Sequence, residues 1–482
     1  MLLMLLGVSF AAAVVLGFVG DRKWAHEINV AASGATFVAA AGLAVQVYLD
    51  GPVMAGGKFF FVDAFNVYLA ALTAFVAMTT AIFSRRYMKL ERERRRVGHW
   101  GMRFYHAMFQ LFIFAMLLVL LTNNLGILWI AMELATLSTV LLVSLYGTPT
   151  AIEAAWKYFI LCGVGIAQAL FGTVLLYFAA ERVLGPGGEA LLWTNLMQVS
   201  GQLEPTVLSI AFVFLVVGYG TKVGLAPVHH WLPDAHSEGP TPISAVLSGL
   251  LLNTALYAVV RCKVLVDHAT GSRLAGNLMI AFGLLSILVA AFSLLRQKDI
   301  KRMFAYSSIE HMGIATFAFG LGTPIATFGA LLHMLVHSLT KSSIFFTVGH
   351  AAQLCGTQEM KRINGLIRSS PLIGWGMVLG VMAIAGLPPF GVFVSEFLIL
   401  TATMQNAPLL TPPLLIGLGV AFAALFRRVQ PMVFGTAAPG SHHPLVPAHL
   451  PVILHLGLML LLGLYLPIFL SQWFQTAVEL LQ

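Results

Sequence analysis

Two carboxylates and two amines stand deep in apolar sequence, where an ionised side chain is costly. They are Glu133 in WIAMELATL, Lys222 in VVGYGTKVGLAP, Lys341 in HSLTKSSIFF and Glu396 in FVSEFLIL. In lipid each charge would cost about 2.5–3.5 kcal/mol at the bilayer centre unless paired, protonated or hydrated. The bland reading is a set of ion pairs that only holds helices together. Acids and bases alternating beside helix breaks favour proton exchange instead. His333, His337 and Lys341 are spaced four apart and share one helix face. Imidazoles in such a row can relay protons because they titrate near neutral pH. The two histidines could also hold a metal, but no acid stands at ligand spacing. Glu310 and His311 form either a further acid site or a polar cap near the membrane surface.

Lys222 lies among Gly218, Gly220 and Gly224, and Pro227 then stops its helix. The polar turn HHWLPDAHSEG follows, and Pro240 and Pro242 begin the next apolar run. Glycine and proline loosen a helix, one by lacking a side chain and the other by lacking an N–H. Backbone freed in this way persists at membrane depth only where it is buried in protein or lines a wet cavity. The turn could be read as a metal cluster, but hydrogen bonding of freed backbone groups is the favoured reading. A second break is written into residues 383–397, AIAGLPPFGVFVSEF, at Pro388 and Pro389.

The elements that hold these residues follow from composition. Of 482 residues, 59% are hydrophobic and 10% charged, and the mean hydropathy is +0.89. Soluble proteins carry about 25% charged residues, so the chain reads as an all-α polytopic membrane protein. A bilayer crossing needs about 20 apolar residues. On that measure fourteen segments are expected, at 2–20, 28–49, 61–83, 104–121, 125–146, 152–180, 206–226, 240–262, 274–294, 303–321, 324–352, 371–403, 412–428 and 452–472. Segments seven and twelve carry the breaks. The first segment resembles a signal peptide, but its charges, Arg22 and Lys23, follow the apolar run, so it reads as a retained helix.

Orientation follows from the loops. With the amino terminus outside, nineteen Lys and Arg fall in cytoplasmic loops: Arg22 and Lys23, eight in residues 85–103, four in 296–302, three in 361–368, and Arg427 with Arg428. Five fall outside (Lys58, Arg182, Arg261, Lys263 and Arg273), and Lys157, Lys222 and Lys341 lie within segments. Both termini are thus expected on the non-cytoplasmic side. Topology also explains the net charge of +8 without a nucleic-acid partner. The basic run RRYMKLERERRR (residues 85–96) could contact anionic lipid or a partner; a solvated topology determinant is the favoured reading. Cys162, Cys262 and Cys355 are scattered and form no Cys-x-x-Cys pair, and no dinucleotide or P-loop fingerprint is present. No cofactor is expected in this chain.

A weak internal repeat organises the middle. Residues 104–264 and 265–428 each hold five segments with the broken one fourth, between an N-terminal block (1–103) of three segments with the basic loop and a C-terminal loop and helix (429–482). Five is odd, so the second block enters from the opposite side and the repeats are inverted. Paired breaks of this kind point to the transport site in repeat-built transporters. The loop of residues 435–451 is Pro- and His-rich, and its His442–His443 pair has no other ligand nearby.

WLPDAHSEGPTPISA, WIAMELATLS and HMLVHSLTKSSIFFTVG resemble the antiporter-like membrane subunits of respiratory complex I, a superfamily that includes Mrp antiporters and the membrane arms of energy-converting [NiFe] hydrogenases. MELATLSTVLLVSLYGTPTAIEAAWKYFILCGVG and YSSIEHMG look most like the F component of the hydrogenase-4 and formate-hydrogenlyase branch. The resemblance implies fourteen helices with helices seven and twelve broken. It also implies a helix-five glutamate paired with a helix-seven lysine, matched by Glu133 and Lys222, and later charges matched by Lys341 and Glu396. One position departs: Asn253 stands where a lysine or histidine is usual, which would interrupt an unbroken ionisable axis.

The leading expectation is a proton-translocating subunit of a hydrogenase- or NADH:quinone-type complex in the cell's inner (plasma) membrane. Other membrane subunits and a peripheral redox arm would be its partners and would carry the redox centres. A Mrp-type cation/proton antiporter subunit and a non-pumping scaffold are the alternatives.

Overall fold

Apolar runs without water must satisfy their own backbone, and helices do so within one segment. In the computed structural model, which describes residues 1–436 and 448–482, the chain runs through α1 (Leu2–Val19), α2 (Ala25–Asp50), β1 (Val53–Ala55), β2 (Phe60–Val62), α3 (Ala64–Glu93), α4 (His99–Leu121), α5 (Leu125–Val143) and α6 (Pro149–Leu184). It continues through α7 (Trp193–Gln198), α8 (Pro205–Val223), α9 (Trp231–Glu238), α10 (Thr241–Val246), α11 (Leu252–Thr270), α12 (Leu274–Leu294), α13 (Ile300–Leu321) and α14 (Pro324–Cys355). The last elements are α15 (Leu366–Ser369), α16 (Pro371–Ile384), α17 (Gly391–Asn406), α18 (Thr411–Phe434), α19 (His449–Leu464) and α20 (Ile468–Leu481). Among the described residues ten helical spans are long and apolar enough to cross a membrane, or eleven if α19 and α20 count as one bent span. The His442–His443 pair lies outside the described residues.

Helix starts follow local chemistry. Asn124 caps α5 by accepting from the N–H groups of Gly126 and Ile127 at 2.8 and 3.1 Å. Asp63 caps α3 and Asp299 caps α13 in the same manner. Helices meet closely where side chains are absent: a Cβ on Gly283 of α12 would stand 2.7 Å from the Gly313 carbonyl of α13, the small-residue contact that lets membrane helices pack. Large apolar side chains such as Phe18, Val38, Trp156 and Val164 point outward, whereas α10, α11, α13 and α14 form the buried centre.

Several sequence expectations need correction. Residues 53–62 form an antiparallel hairpin, pairing Val53 with Val62, ahead of α3, so the fold is not wholly helical and the third segment starts later than expected. The basic run is largely the end of α3 rather than a loop, because its arginines find partners on the protein. Arg85 pairs with Glu27 at 2.6 Å, Arg94 donates to the Gln353 carbonyl at 3.1 Å, and Arg96 lies 3.6 Å from Glu91. Arg261 and Lys263 are buried on α11 and Lys301 is buried on α13, so none of the three is a loop charge. Segments seven and twelve are not the only irregular ones: Leu247–Leu251 is a π-helical turn between α10 and α11, and the last segment bends by 79° between α19 and α20. Pro467 explains the bend, since it ends the α19 pattern and starts a new helix.

Candidate functional site

Helix α8 carries Lys222 two residues before Gly224, which adopts φ +81° and ends the helix. A side chain there would be strained, so glycine fits the turn. The freed backbone is met by side chains: Trp231 Nε1 donates to the Thr221 carbonyl at 2.7 Å, and the Ala226 N–H donates to Ser286 Oγ at 2.8 Å. Trp231 stacks on Tyr158 at 4.4 Å, and the Tyr158 hydroxyl meets Thr139 at 2.7 Å. Lys222 is fully buried, with Nζ 3.9 Å from Glu133 Oε2. Its amine also donates to Thr136 and lies 5.9 Å over the Tyr158 ring. Glu133 is one turn before Thr136 on α5, so both reach the amine from one helix face. Glu133 Oε2 has no hydrogen-bond partner among the described residues.

The second group of residues sits on α13, α14 and α17. Lys341 is fully buried and donates to the Phe304 carbonyl at 3.1 Å. Glu310 is buried one helix away, and its Oε2 is unpartnered among the described residues. His311 Nδ1 meets His333 Nε2 at 3.1 Å, and His333 Nδ1 meets Ser395 Oγ at 2.9 Å. The His337 ring lies 5.8 Å from that of His311, and neither of its nitrogens has a partner among the described residues. His311 Nδ1 is 4.0 Å from Glu396 Oε1. Glu396 follows the second break, where Pro388 and Pro389 separate α16 from α17 and Gly386 turns at φ +66°. Glu310 and His311 are thus interior groups rather than a surface cap, because mid-α13 packs inside the bundle. Gly224, Pro227, Pro388 and Pro389 all fall at breaks, as their chemistry requires.

Asn253 donates to the Met334 carbonyl at 2.9 Å and to Ser338 Oγ at 2.8 Å, leaving Oδ1 unpartnered among the described residues. It tethers α11 to α14 in place of a titratable group. The Ser248 and Ser308 hydroxyls meet at 2.7 Å, linking the π-helical turn to α13. Within the polar turn Trp231 serves freed backbone as expected, whereas the charged side chains pair with other side chains. Asp234 binds Lys157 at 3.3 Å and also Arg302, and Glu238 accepts from Thr150 at 2.8 Å. His236 is buried and stacks on Phe345 at 5.1 Å, and neither of its nitrogens has a partner among the described residues.

Residues 122–422 match the NADH:quinone oxidoreductase/Mrp antiporter transmembrane family. The chain belongs to this family. It is 50% identical to the hydrogenase-4 component F homolog of Methylacidiphilum infernorum over 426 residues, covering 88% of this chain and 89% of that protein. A chain of the membrane-bound sulfane sulfur reductase, an archaeal respiratory membrane complex, matches with TM-score 0.89 at 25% identity, covering 99% of this chain and 96% of that one. A chain of the Mrp complex from Dietzia sp. shares the fold with TM-score 0.85 at 18% identity, covering 99% and 97%. Like other family members, the chain is a multi-pass membrane protein.

Sequence reasoning found Glu133, Lys222, Glu310, His311, His333, His337, Lys341 and Glu396, and the structure gathers them into the two groups above. It missed the burial of His236 and Lys301. His236 was hidden in a turn that reads as polar loop, and Lys301 in a basic run that reads as solvated. The available signal was the helical register of IKRMFAYSSIEHMG, which places Lys301, Ser308 and His311 near one face at spacings of seven and three.

Proposed function

We propose that this chain is the proton-translocating membrane subunit of a redox-driven complex of the hydrogenase or NADH:quinone type. The observation that carries the proposal is the series of buried titratable groups beside and between two broken helices, several of whose polar atoms have no partner among the described residues. Such atoms cost about 1–3 kcal/mol each when left dry, so the series favours water, and water with lysine, glutamate and histidine conducts protons. The 50% identity to a hydrogenase-4 component F homolog favours a hydrogenase-type complex. In this reading the chain crosses the plasma membrane fourteen times, with residues 104–264 and 265–428 as two inverted five-helix repeats and both termini outside. Electron transfer occurs on partner subunits.

At 3.9 Å and an effective dielectric of about 20, the Glu133–Lys222 attraction is about 4 kcal/mol. Opening and closing that pair changes the free energy of the Lys222 proton by up to that amount. At about 1.4 kcal/mol per tenfold, this shifts occupancy by almost three orders of magnitude. A redox partner that moves α5 against α8 therefore drives a proton off Lys222 toward Lys341 and the histidines, and Glu396 passes it to the far side.

The test is acidification of vesicles per electron transferred by the assembled complex, comparing wild type with Lys222→Ala. The ratio is expected to fall while uncoupled electron transfer and assembly persist. An unchanged ratio would show a non-pumping scaffold. Acidification driven by a cation gradient alone, with no electron donor, would instead support a Mrp-type antiporter, the reading favoured by the shared Mrp fold.

A further inference from the structure

A third buried polar group lies off the Glu133–Lys222 pair, toward the basic end of α3. A cleft of about 250 Å³ opens there, lined by Tyr87, Arg96, Tyr146, Gln353 and Thr357. Glu91, fully buried on α3, contacts two of these lining residues, Gln353 and Arg96. Gln353 Nε2 donates to Glu91 Oε1 at 2.7 Å, and Arg96 stands 3.6 Å from Oε2, which has no hydrogen-bond partner among the described residues. Tyr87 and Tyr146 hydroxyls lie 3.5 Å apart, and Thr241 donates to Tyr87 at 3.1 Å. Thr241 begins α10, two residues after Gly239, whose carbonyl accepts from the buried Lys301 amine at 2.6 Å. Tyr87 lies one turn before Glu91 on α3, and His236 stacks at 5.1 Å on Phe345, one turn beyond Lys341 on α14.

The elements explain why these groups meet. The hydrogen bonds from Thr241 to Tyr87 and from Gln353 to Glu91 tie the start of α10 and the end of α14 to α3. Lys301 is then held against the end of α9, where His236 sits. A carboxylate, a lysine and an imidazole buried in succession inward from a polar cleft are expensive as packing. Among the described residues Glu91 Oε2 and both His236 nitrogens have no hydrogen-bond partner, which a dry interior penalises.

We propose that Glu91, Lys301 and His236 form a proton entrance from the basic face to Lys341 that does not pass through the Glu133–Lys222 pair. It rests on the pumping function proposed above. A water proton in the cleft protonates the Glu91 carboxylate. Lys301 gives its proton to His236 and takes one from Glu91, and His236 gives one to Lys341, so one proton enters for each that leaves. Asn253, which cannot titrate, then needs no part in the relay, because His236, stacked on Phe345 one turn beyond Lys341, approaches from α9 rather than from α11.

The experiment uses the assembled complex in vesicles and measures acidification per electron for Glu91→Gln, Glu91→Asp, His236→Gln and Lys222→Ala, with uncoupled electron transfer as the check on integrity. Glu91→Gln keeps side-chain size and an oxygen for Gln353, so assembly is retained. Glu91→Gln and His236→Gln are each expected to lower the ratio about as far as Lys222→Ala, with Glu91→Asp recovering more than half of the loss. A wild-type ratio in Glu91→Gln beside a lowered one in Lys222→Ala would overturn the entrance and leave the pump standing. Equal losses in Glu91→Asp and Glu91→Gln would also overturn it, since they assign Glu91 to packing. An unchanged Lys222→Ala would overturn the pumping function itself.

Discussion

Replacing Asp63 by Asn isolates the charge of an ion pair closed off from water on every side. Arg261 Nη2 meets both Asp63 oxygens at 2.7 Å. The Arg261 guanidinium is surrounded by the rings of Trp193, Tyr257 and Phe65 at 4.5, 5.1 and 5.3 Å, and its Nε donates to the Tyr257 hydroxyl at 3.1 Å. Asp63 also accepts from the N–H groups of Phe65 and Asn66 at 3.0 and 3.1 Å to start α3. Asparagine caps a helix as well as aspartate does, so Asp63→Asn removes charge and leaves the cap. The guanidinium is then buried without its counter-ion, a loss of about 3–5 kcal/mol. Asp63→Ala loses the cap as well, about 1 kcal/mol more. Adding Arg261→Met to Asp63→Asn removes the stranded charge and recovers at least half of the loss, because apolar replacement of a whole buried pair is close to neutral. Equilibrium unfolding in mixed detergent micelles, followed by tryptophan fluorescence, reads all three. A loss below about 1 kcal/mol for Asp63→Asn, or a double variant no more stable than the single one, would refute the reasoning.

Other perturbations test the site. Glu133→Gln and Lys222→Ala should each lower acidification per electron, and the double variant should be no worse than the poorer single one; losses that multiply would show that the two do not act as a pair. Gly386→Ala forces a side chain into φ +66° and places its Cβ on Glu396. It is expected to cost about 1–2 kcal/mol by thermal unfolding, whereas Gly34→Ala, with open space around it, should cost nothing. Trp231→Phe keeps the stack on Tyr158 but removes one of the two donors to the Thr221 carbonyl, leaving the Gly224 N–H at 3.1 Å, for a loss of about 1 kcal/mol, read in the same assay.

The fold was legible where one physical constraint acts alone. Runs such as LFIFAMLLVLL (residues 111–121) can only be buried or lipid-facing helix, and the breaks were legible because Gly224 and Pro389 have few other uses. Charge placement was less legible. The rule that basic residues mark one face counts Arg261 and Lys301 as solvated, but each is buried by partners far away in sequence: Asp63 lies 198 residues before Arg261 and Gly239 lies 62 before Lys301. Hydropathy carries no information about such pairs. The hairpin at residues 53–62 was missed for a related reason: its register is fixed by the turn through Gly56 and Gly57 at positive φ, while its FFFV stretch reads as the start of a membrane helix.

Unpartnered polar atoms sharpen the distinction between holding the fold and working in it. Asp63 and Arg261 are a buried pair in which both carboxylate oxygens are engaged and aromatic rings enclose the guanidinium, whose Nη1 alone has no partner among the described residues. His236, Glu310 and His337 are buried as deeply and Glu133 is partly buried, yet each leaves at least one enclosed polar atom without a partner among the described residues. A set selected only for stability would gain by closing those contacts, since each closed one is worth about 1 kcal/mol and each open one costs more. A proton relay must keep them open, because a donor already fully engaged has no site to receive the next proton. The unpartnered atoms of these four residues lie on α5, α9, α13 and α14, beside or between the two breaks, while others lie elsewhere, as on His106 of α4. On the proposed function, the helix breaks and the incomplete hydrogen bonding serve one requirement: water and protons must reach groups that the surrounding apolar helices would otherwise seal.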